Sequence, residues 1–222
     1  MRSRSCSGGA TGAGLADSYN STGGANTIIR NGAGYFTIHL PGLTNSGGQV
    51  QVTPYITHFS GNSFVPARCN ATDWRADSTG TTIGVACVDK NGAAFDNNFM
   101  LAYSYGTTLG AHALGGPNVG AYTYGNQPTR TKPYYAGNHF QYNAFGTGPL
   151  PIRRTGTGTY TVSVPGKLTY SSSTALVSAV GPAGTYCNLA DFSSGASFNV
   201  ACFAQGGVPT DSKFDLTVQT TP

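Results

Sequence analysis

Residues 69–99, CNATDWRADSTGTTIGVACVDKNGAAFDNNF, decide the architecture, because the pattern returns at residues 187–214 as CNLADFSSGASFNVACFAQGGVPTDSKF. In both stretches a Cys-Asn pair precedes an aromatic residue, Trp74 or Phe192. Val-Ala-Cys then closes at Cys87 and at Cys202, followed by a glycine (Gly92, Gly207), an aspartate (Asp96, Asp211) and a phenylalanine (Phe99, Phe214). The matched cysteines predict one cystine per copy, Cys69–Cys87 and Cys187–Cys202, each across neighbouring strands. Zinc is the competing use of four cysteines, but zinc sites usually carry close C-x-x-C pairs and neither copy has one.

Upstream of each cystine lies a second matched block, RNGAGYFTIHLPG from Arg30 and RTGTGTYTVSVPG from Arg154. Phe36, Ile38 and Leu40 correspond to Tyr160, Val162 and Val164, at every second position, so each set shares one face of a strand. Thr37 and His39, like Thr161 and Ser163, take the wetter face. Gly-x-Gly before the strand supplies a tight turn or bulge, and Pro-Gly after it ends the ladder. The alternating run from Gln49 to Thr53 matches the run from Ala175 to Ser178. Copy one then carries an insertion around His58, Phe59, Asn62 and Phe64, the largest asymmetry between the copies. Asn91-Gly92 reads as a hairpin turn. The strand AYTYGNQP at 121–128 has no counterpart in copy one, while Tyr142-Asn143 mirrors Tyr19-Asn20. The expected organisation is a flexible arm at 1–18, a β-repeat at 19–105, a Gly-rich linker at 106–120 and a second β-repeat at 121–222. Each repeat is expected to be an Ig-like, β-sandwich-like all-β domain pinned by one disulfide.

Composition agrees. Charged residues are 9% of the chain, against about 25% in a typical domain, while Gly is 32, Tyr 13 and Phe 11 of 222 residues. A chain that is polar without charge and rich in aromatics favours strands. The net charge of +4 is scattered; Arg130, Lys132, Arg153 and Arg154 come nearest to a cluster, short of the basic stripe that nucleic acid requires. No apolar run approaches a membrane span, and the basic start lacks the apolar core of an intact secretory signal. Paired cysteines point to an oxidising compartment, and the expected location is secreted, extracellular or at the cell surface. Cys6 is left over from the matched pairs.

These signatures resemble tandem repeats of secreted bacterial proteins, especially actinobacterial ones, whose pattern runs AYxxxNQP, RxGxGxYxVxxPG, CxxxxW and VxCxxxGxxxDxxF. Here those motifs are residues 121–128, 154–166, 69–74 and 85–99, and Phe192 stands where copy two would carry the tryptophan. The resemblance implies location and architecture rather than an activity.

Chemistry is sparsely signalled. His39, His58, His112 and His139 show no ligand spacing, and no G-x-S-x-G elbow occurs, so neither a metal nor another cofactor is expected. Asp96 and Asp211 recur at equivalent places and read as turn-capping groups that accept backbone N–H bonds. Asp89 and Asn91 with Asp96 weakly resemble a calcium loop, in copy one alone. Trp74 and Phe192 are expected to pack in the core against the cystines. Exposed tyrosines suit binding at low entropic cost. The candidate ligand residues are therefore Tyr122, Tyr124, Tyr134 and Tyr135, together with His58, Phe59, Asn62 and Phe64 of the insertion. These features point to a non-enzymatic structural, adhesive or carbohydrate-binding protein. Its expected partners are an extracellular polysaccharide or further copies of itself joined by strand sharing at the edge that copy one leaves open. The competing class is a secreted hydrolase acting on a polymer, and the feature that discriminates it is whether His58 meets an acid and a serine.

Overall fold

The computed structural model describes residues 13–14, 18–55, 59–60, 63–64, 66–108, 120–146, 148–166, 173–193 and 196–220. Copy one supplies strands β1 (Ala13–Gly14), β2 (Thr27–Gly32), β3 (Tyr35–Pro41), β4 (Gln49–Tyr55), β5 (Phe59–Ser60), β6 (Ser63–Phe64), β7 (Ala67–Ala76), β8 (Gly80–Asp89) and β9 (Asn98–Ser104). Copy two supplies β10 (Gly120–Gly125), β11 (Gln141–Asn143), β12 (Ile152–Gly156), β13 (Thr159–Ser163), β14 (Ser173–Val180), β15 (Tyr186–Ser193), β16 (Ser197–Phe203) and β17 (Lys213–Thr220), with one 3-10 turn, Asn138–Phe140, before β11. The protein is all-β, in two sandwich-like repeats.

The two copies follow one plan. In copy one the antiparallel order is β2-β3-β8-β7, and in copy two β12-β13-β16-β15. A bulge falls at Arg30/Gly32 in the first hairpin and at Arg154/Gly156 in its counterpart. The half-cystines stand directly opposite each other, Cys69 against Cys87 and Cys187 against Cys202, with Cα atoms 4.1 and 4.0 Å apart, the close spacing of a non-hydrogen-bonded pair. Gly34 and Gly158 hold φ of 71° and 68°, and a Cβ at either would overlap the carbonyl oxygen of the second cysteine, Cys87 or Cys202. That is why the second glycine of Gly-x-Gly recurs in both signatures.

Each sandwich closes on the predicted alternate residues. Phe36, Ile38 and Leu40 are buried, as are Tyr160, Val162 and Val164. Phe36 meets Phe99 edge-on at 5.4 Å, and Tyr160 meets Phe214 at 5.0 Å, so the same aromatic contact joins the layers of each copy. The second layer is β4-β9 in copy one, and β14-β17-β10-β11 in copy two, where AYTYGNQP adds the extra strand. Tyr160 donates to the carbonyl of Pro128, and Gln127 N donates to the Tyr134 hydroxyl, so the NQP segment is tied to the second copy's core. Asn20 and Asn143 play the mirrored part the sequence suggested, donating to the carbonyls of Pro41 and Pro165 at 3.0 and 2.8 Å.

The compact units are not continuous in sequence. One comprises residues 1–47, 52–102 and 180–184; the other comprises 48–51, 103–179 and 185–222. Residues 48–51 and 103–105 of copy one thus fall in the unit built mainly from copy two, and residues 180–184 of copy two in the other. In the first unit Val180 pairs parallel with Ala71, Gly181 N donates to the Ala71 carbonyl and Asn70 donates to the Pro182 carbonyl. This fixes the Asn70 side chain in a buried place. The edge of β2 is not bare either: Ala13 and Gly14 of β1 pair with Ile28 and Thr27, which is cover from the chain's own N-terminal arm.

Trp74 departs from expectation. It stands across from Ile83, four ladder pairs from the cystine, or about 13 Å at the usual strand rise. It does not pack on the disulfide. Its indole N–H donates to the Gly47 carbonyl at 2.8 Å and anchors the loop before β4.

Candidate functional site

The recurring aspartates are structural clasps. Asp96 accepts Arg30 Nε at 2.8 Å and Gly34 N at 2.8 Å. Asp211 accepts Arg154 Nε and Nη2 at 2.9 Å each, Gly158 N at 2.9 Å and the Tyr160 hydroxyl at 3.2 Å. Each carboxylate therefore binds the Arg and Gly of its own RxGxG signature, which explains why the three residue types recur together. Burial alone would raise the Asp211 pKa, but hydrogen bonds from Arg154, Gly158 and Tyr160 outweigh it and hold the carboxyl below its ordinary range. Asp89 accepts the backbone N–H groups of Asn91 and Ala93 at its own turn. Among the described residues there is no grouping of three or more His, Cys, Asp or Glu that could hold a metal ion.

Of the insertion residues, His58 and Asn62 lie outside the described residues. Phe59 and Phe64 are register partners in the β5–β6 ladder. Tyr122 and Tyr134 are core residues, 1% and 3% exposed. Burial pushes the Tyr122 hydroxyl up to about 12, against the lowering effect of the bond it accepts from Gly106 N. Tyr124 is half-buried and Tyr135 is exposed at 54%. Arg130 lies 5.8 Å over the Tyr134 ring and donates to Gln127.

The structure assembles an aromatic strip in the second unit that only partly overlaps the predicted tyrosines. β10 and β11 pair so that Tyr122 faces Tyr142, with rings 5.8 Å apart. Tyr124 meets Phe140 at 5.7 Å. Next to Phe140, exposed His139 stacks on Tyr105 at 6.4 Å with planes 16° apart, and His139 Nδ1 lies 3.1 Å from the Tyr105 hydroxyl. The half-buried rings of Tyr105, Tyr124, Phe140 and Tyr142, with His139, thus line the β10–β11 edge above the buried Tyr122.

Beside this strip is a polar cluster hidden from solvent. Tyr124 pairs with Asp215, and Tyr122 with Thr217, across the β10–β17 ladder. Phe214, Leu216 and Val218 point into the core, so Asp215 and Thr217 take the opposite face of β17. That face is covered as well, because Asp215 is 0% and Thr217 1% exposed. The cover is segment 48–51. Gly48 N donates to the His139 carbonyl at 2.6 Å and Val50 N to Asp215 Oδ2 at 2.9 Å. Gln51 Nε2 donates to the Asp215 carbonyl at 3.2 Å and to Thr217 Oγ1 at 3.4 Å. Thr217 Oγ1 donates to Gln49 Oε1 at 2.9 Å, and Gln49 Nε2 to Ser104 Oγ at 2.9 Å. Asp215 Oδ1 is buried without a hydrogen-bond partner, and burial raises the pKa of this carboxyl well above the usual carboxylate range.

Sequence reasoning missed this cluster because Gln-Val-Gln-Val and Phe-Asp-Leu-Thr-Val alternate as half-exposed strands do. One signal was present. Asp215 and Thr217 fall where copy one has Met100 and Ala102, so the closing strands differ in polarity where they should match. No family model, curated protein or solved structure matches the chain.

Proposed function

We propose that this is a secreted, non-enzymatic β-repeat module of an extracellular structural or adhesive protein, and that its second repeat binds polysaccharide along the β10–β11 aromatic strip. The observation that carries this reading is the row of half-exposed rings formed by Tyr105, His139, Tyr124, Phe140 and Tyr142. A sugar ring offers an apolar C–H face and a hydroxyl edge. Aromatic rings with a polar tip match both, and rings held by cross-strand stacking lose little freedom on binding. The Asp96 and Asp211 clasps support a scaffold role, since each carboxylate is engaged by an arginine and a backbone N–H. The two disulfides suit an oxidising environment, and among the described residues no helix is long and apolar enough to cross a membrane.

The test is co-sedimentation of the full chain with a panel of insoluble polysaccharides, combined with assay of the supernatant for released sugar. The reading expects retention without release, and loss of retention in a Tyr105→Ala, His139→Ala double variant whose cystines still form. Release of sugar would place the chain among hydrolases, and retention unchanged by the double variant would remove the strip as the binding surface.

A further inference from the structure

We propose that Thr217 and Gln49 form an intramolecular ester cross-link that ties segment 48–51 covalently to β17. Thr217 Oγ1 already donates to Gln49 Oε1 at 2.9 Å. A carbonyl bond is about 1.2 Å long, so the nucleophilic oxygen lies within about 4 Å of the amide carbon, close to attack distance. Both side chains are buried, at 1% and 0% exposure, so water does not compete for the carbonyl.

The step is a simple exchange. A bond forms between Thr217 Oγ1 and Gln49 Cδ, and the bond from Cδ to Nε2 breaks. The hydroxyl proton passes to the departing nitrogen, which leaves as ammonia. Nothing is oxidised or reduced. A hydroxyl is a weak nucleophile and an amide a poor leaving group, so a proton carrier is needed. Asp215 is the acid of this cluster. It shares the face of β17 with Thr217, two residues away, and its Oδ2 is fixed by the N–H of Val50, the neighbour of Gln49. Its Oδ1 is buried without a partner. Burial favours the neutral carboxyl, the form that can give a proton to the leaving amine, and a proton taken from Thr217 returns it unchanged. Ser104 Oγ accepts from Nε2 at 2.9 Å and holds the leaving nitrogen in place. The cross-link is independent of whether the neighbouring strip binds a glycan.

Intact-mass spectrometry of the oxidised full chain tests this. The expected mass is one ammonia below that of the sequence with its disulfides. Peptide mapping should find the Gln49 and Thr217 peptides joined by a linkage that hydroxylamine cleaves. Thr217→Val, close in shape, and Asp215→Asn should each restore the full mass. Succinimide formation at Asn31-Gly32 or Asn91-Gly92 also loses ammonia, but it would persist in Thr217→Val and leave no joined peptide. Full mass in the folded parent chain, or a loss unaffected by Thr217→Val, overturns the proposal without reference to how well any variant folds.

Discussion

Replacing Asp211 with alanine should cost more than replacing Asp96, although the two residues occupy the same place in the repeat. Asp211 accepts Gly158 N and the Tyr160 hydroxyl in addition to a two-point contact from Arg154, and its side chain is 19% exposed. Asp96 is 41% exposed and accepts Arg30 at one point plus Gly34 N. The arginine pairs are screened by solvent and contribute little. Gly34 N on Asp96 matches Gly158 N on Asp211, so the difference comes from the Tyr160 hydroxyl bond and from the deeper burial of the Asp211 clasp. Each variant strips a glycine N–H of its acceptor, and Asp211→Ala also removes one of the two acceptors of the Tyr160 hydroxyl at a less exposed site, which predicts a loss of about 2 kcal/mol for Asp211→Ala against about 1 kcal/mol for Asp96→Ala. Urea unfolding of the full chain measures both, with Trp74, the single tryptophan, reporting the first unit and the tyrosines, ten of thirteen in the second unit, weighted toward that unit. The sign of the pH dependence is fixed as well. The Asp211 pKa is lowered in the folded protein, so its contribution is present above the unfolded value near about 4 and lost as pH falls through the folded one. The gap between parent and Asp211→Ala should be level from neutral pH down to about 5 and shrink below 4. Equal losses for the two variants, or a gap that persists undiminished to pH 2, would refute the clasp account.

Other perturbations separate the remaining contributions. The cystines span 18 and 15 residues, and removing either pair by Cys→Ala should cost about 3 kcal/mol in the chain-entropy treatment, read as a lower urea midpoint for the unit that carries it. Gly34→Ala and Gly158→Ala combine a positive φ with overlap on a cysteine carbonyl. Each should lose at least about 2 kcal/mol by the same assay, whereas Gly32→Ala, with open space around it, should not. Asp215 behaves oppositely to Asp211. Its raised pKa favours the folded state below about pH 4, and that advantage fades by about 1.4 kcal/mol per pH unit as pH climbs toward the folded value. In a Thr217→Val background, where no ester can form, Asp215→Asn should therefore gain on its parent as pH rises; parallel pH profiles would contradict the burial of an isolated acid.

The repeat plan was legible because it rests on local chemistry. Alternating apolar residues, Gly-x-Gly and paired cysteines each specify a strand, a turn or a hairpin within one copy, and the structure places them as read. What escaped were effects of distant chain. The alternation at Gln49 and Gln51 identified a strand but could not show that both polar side chains would be buried against Thr217 and its neighbours, more than 160 residues away in sequence. Trp74 was mislaid because cysteine and tryptophan five residues apart on one strand are too distant to touch. Tyr122 and Tyr134 were chosen by density alone, which does not distinguish a ring that faces the core from one that faces water. Tyr105, His139 and Phe140 entered the candidate site only through the pairing of β10 with β11 and the turn that precedes it.

The most direct test of the functional account is a nuclear magnetic resonance titration of the full chain with soluble oligosaccharides cut from the polysaccharide that retains it. The account predicts that ring resonances of Tyr105, Tyr124, His139, Phe140 and Tyr142 shift together and saturably, while those of Tyr35 and Trp74 in the first unit stay in place. Shifts confined to the first unit, or no saturable shift among the strip residues, would contradict it.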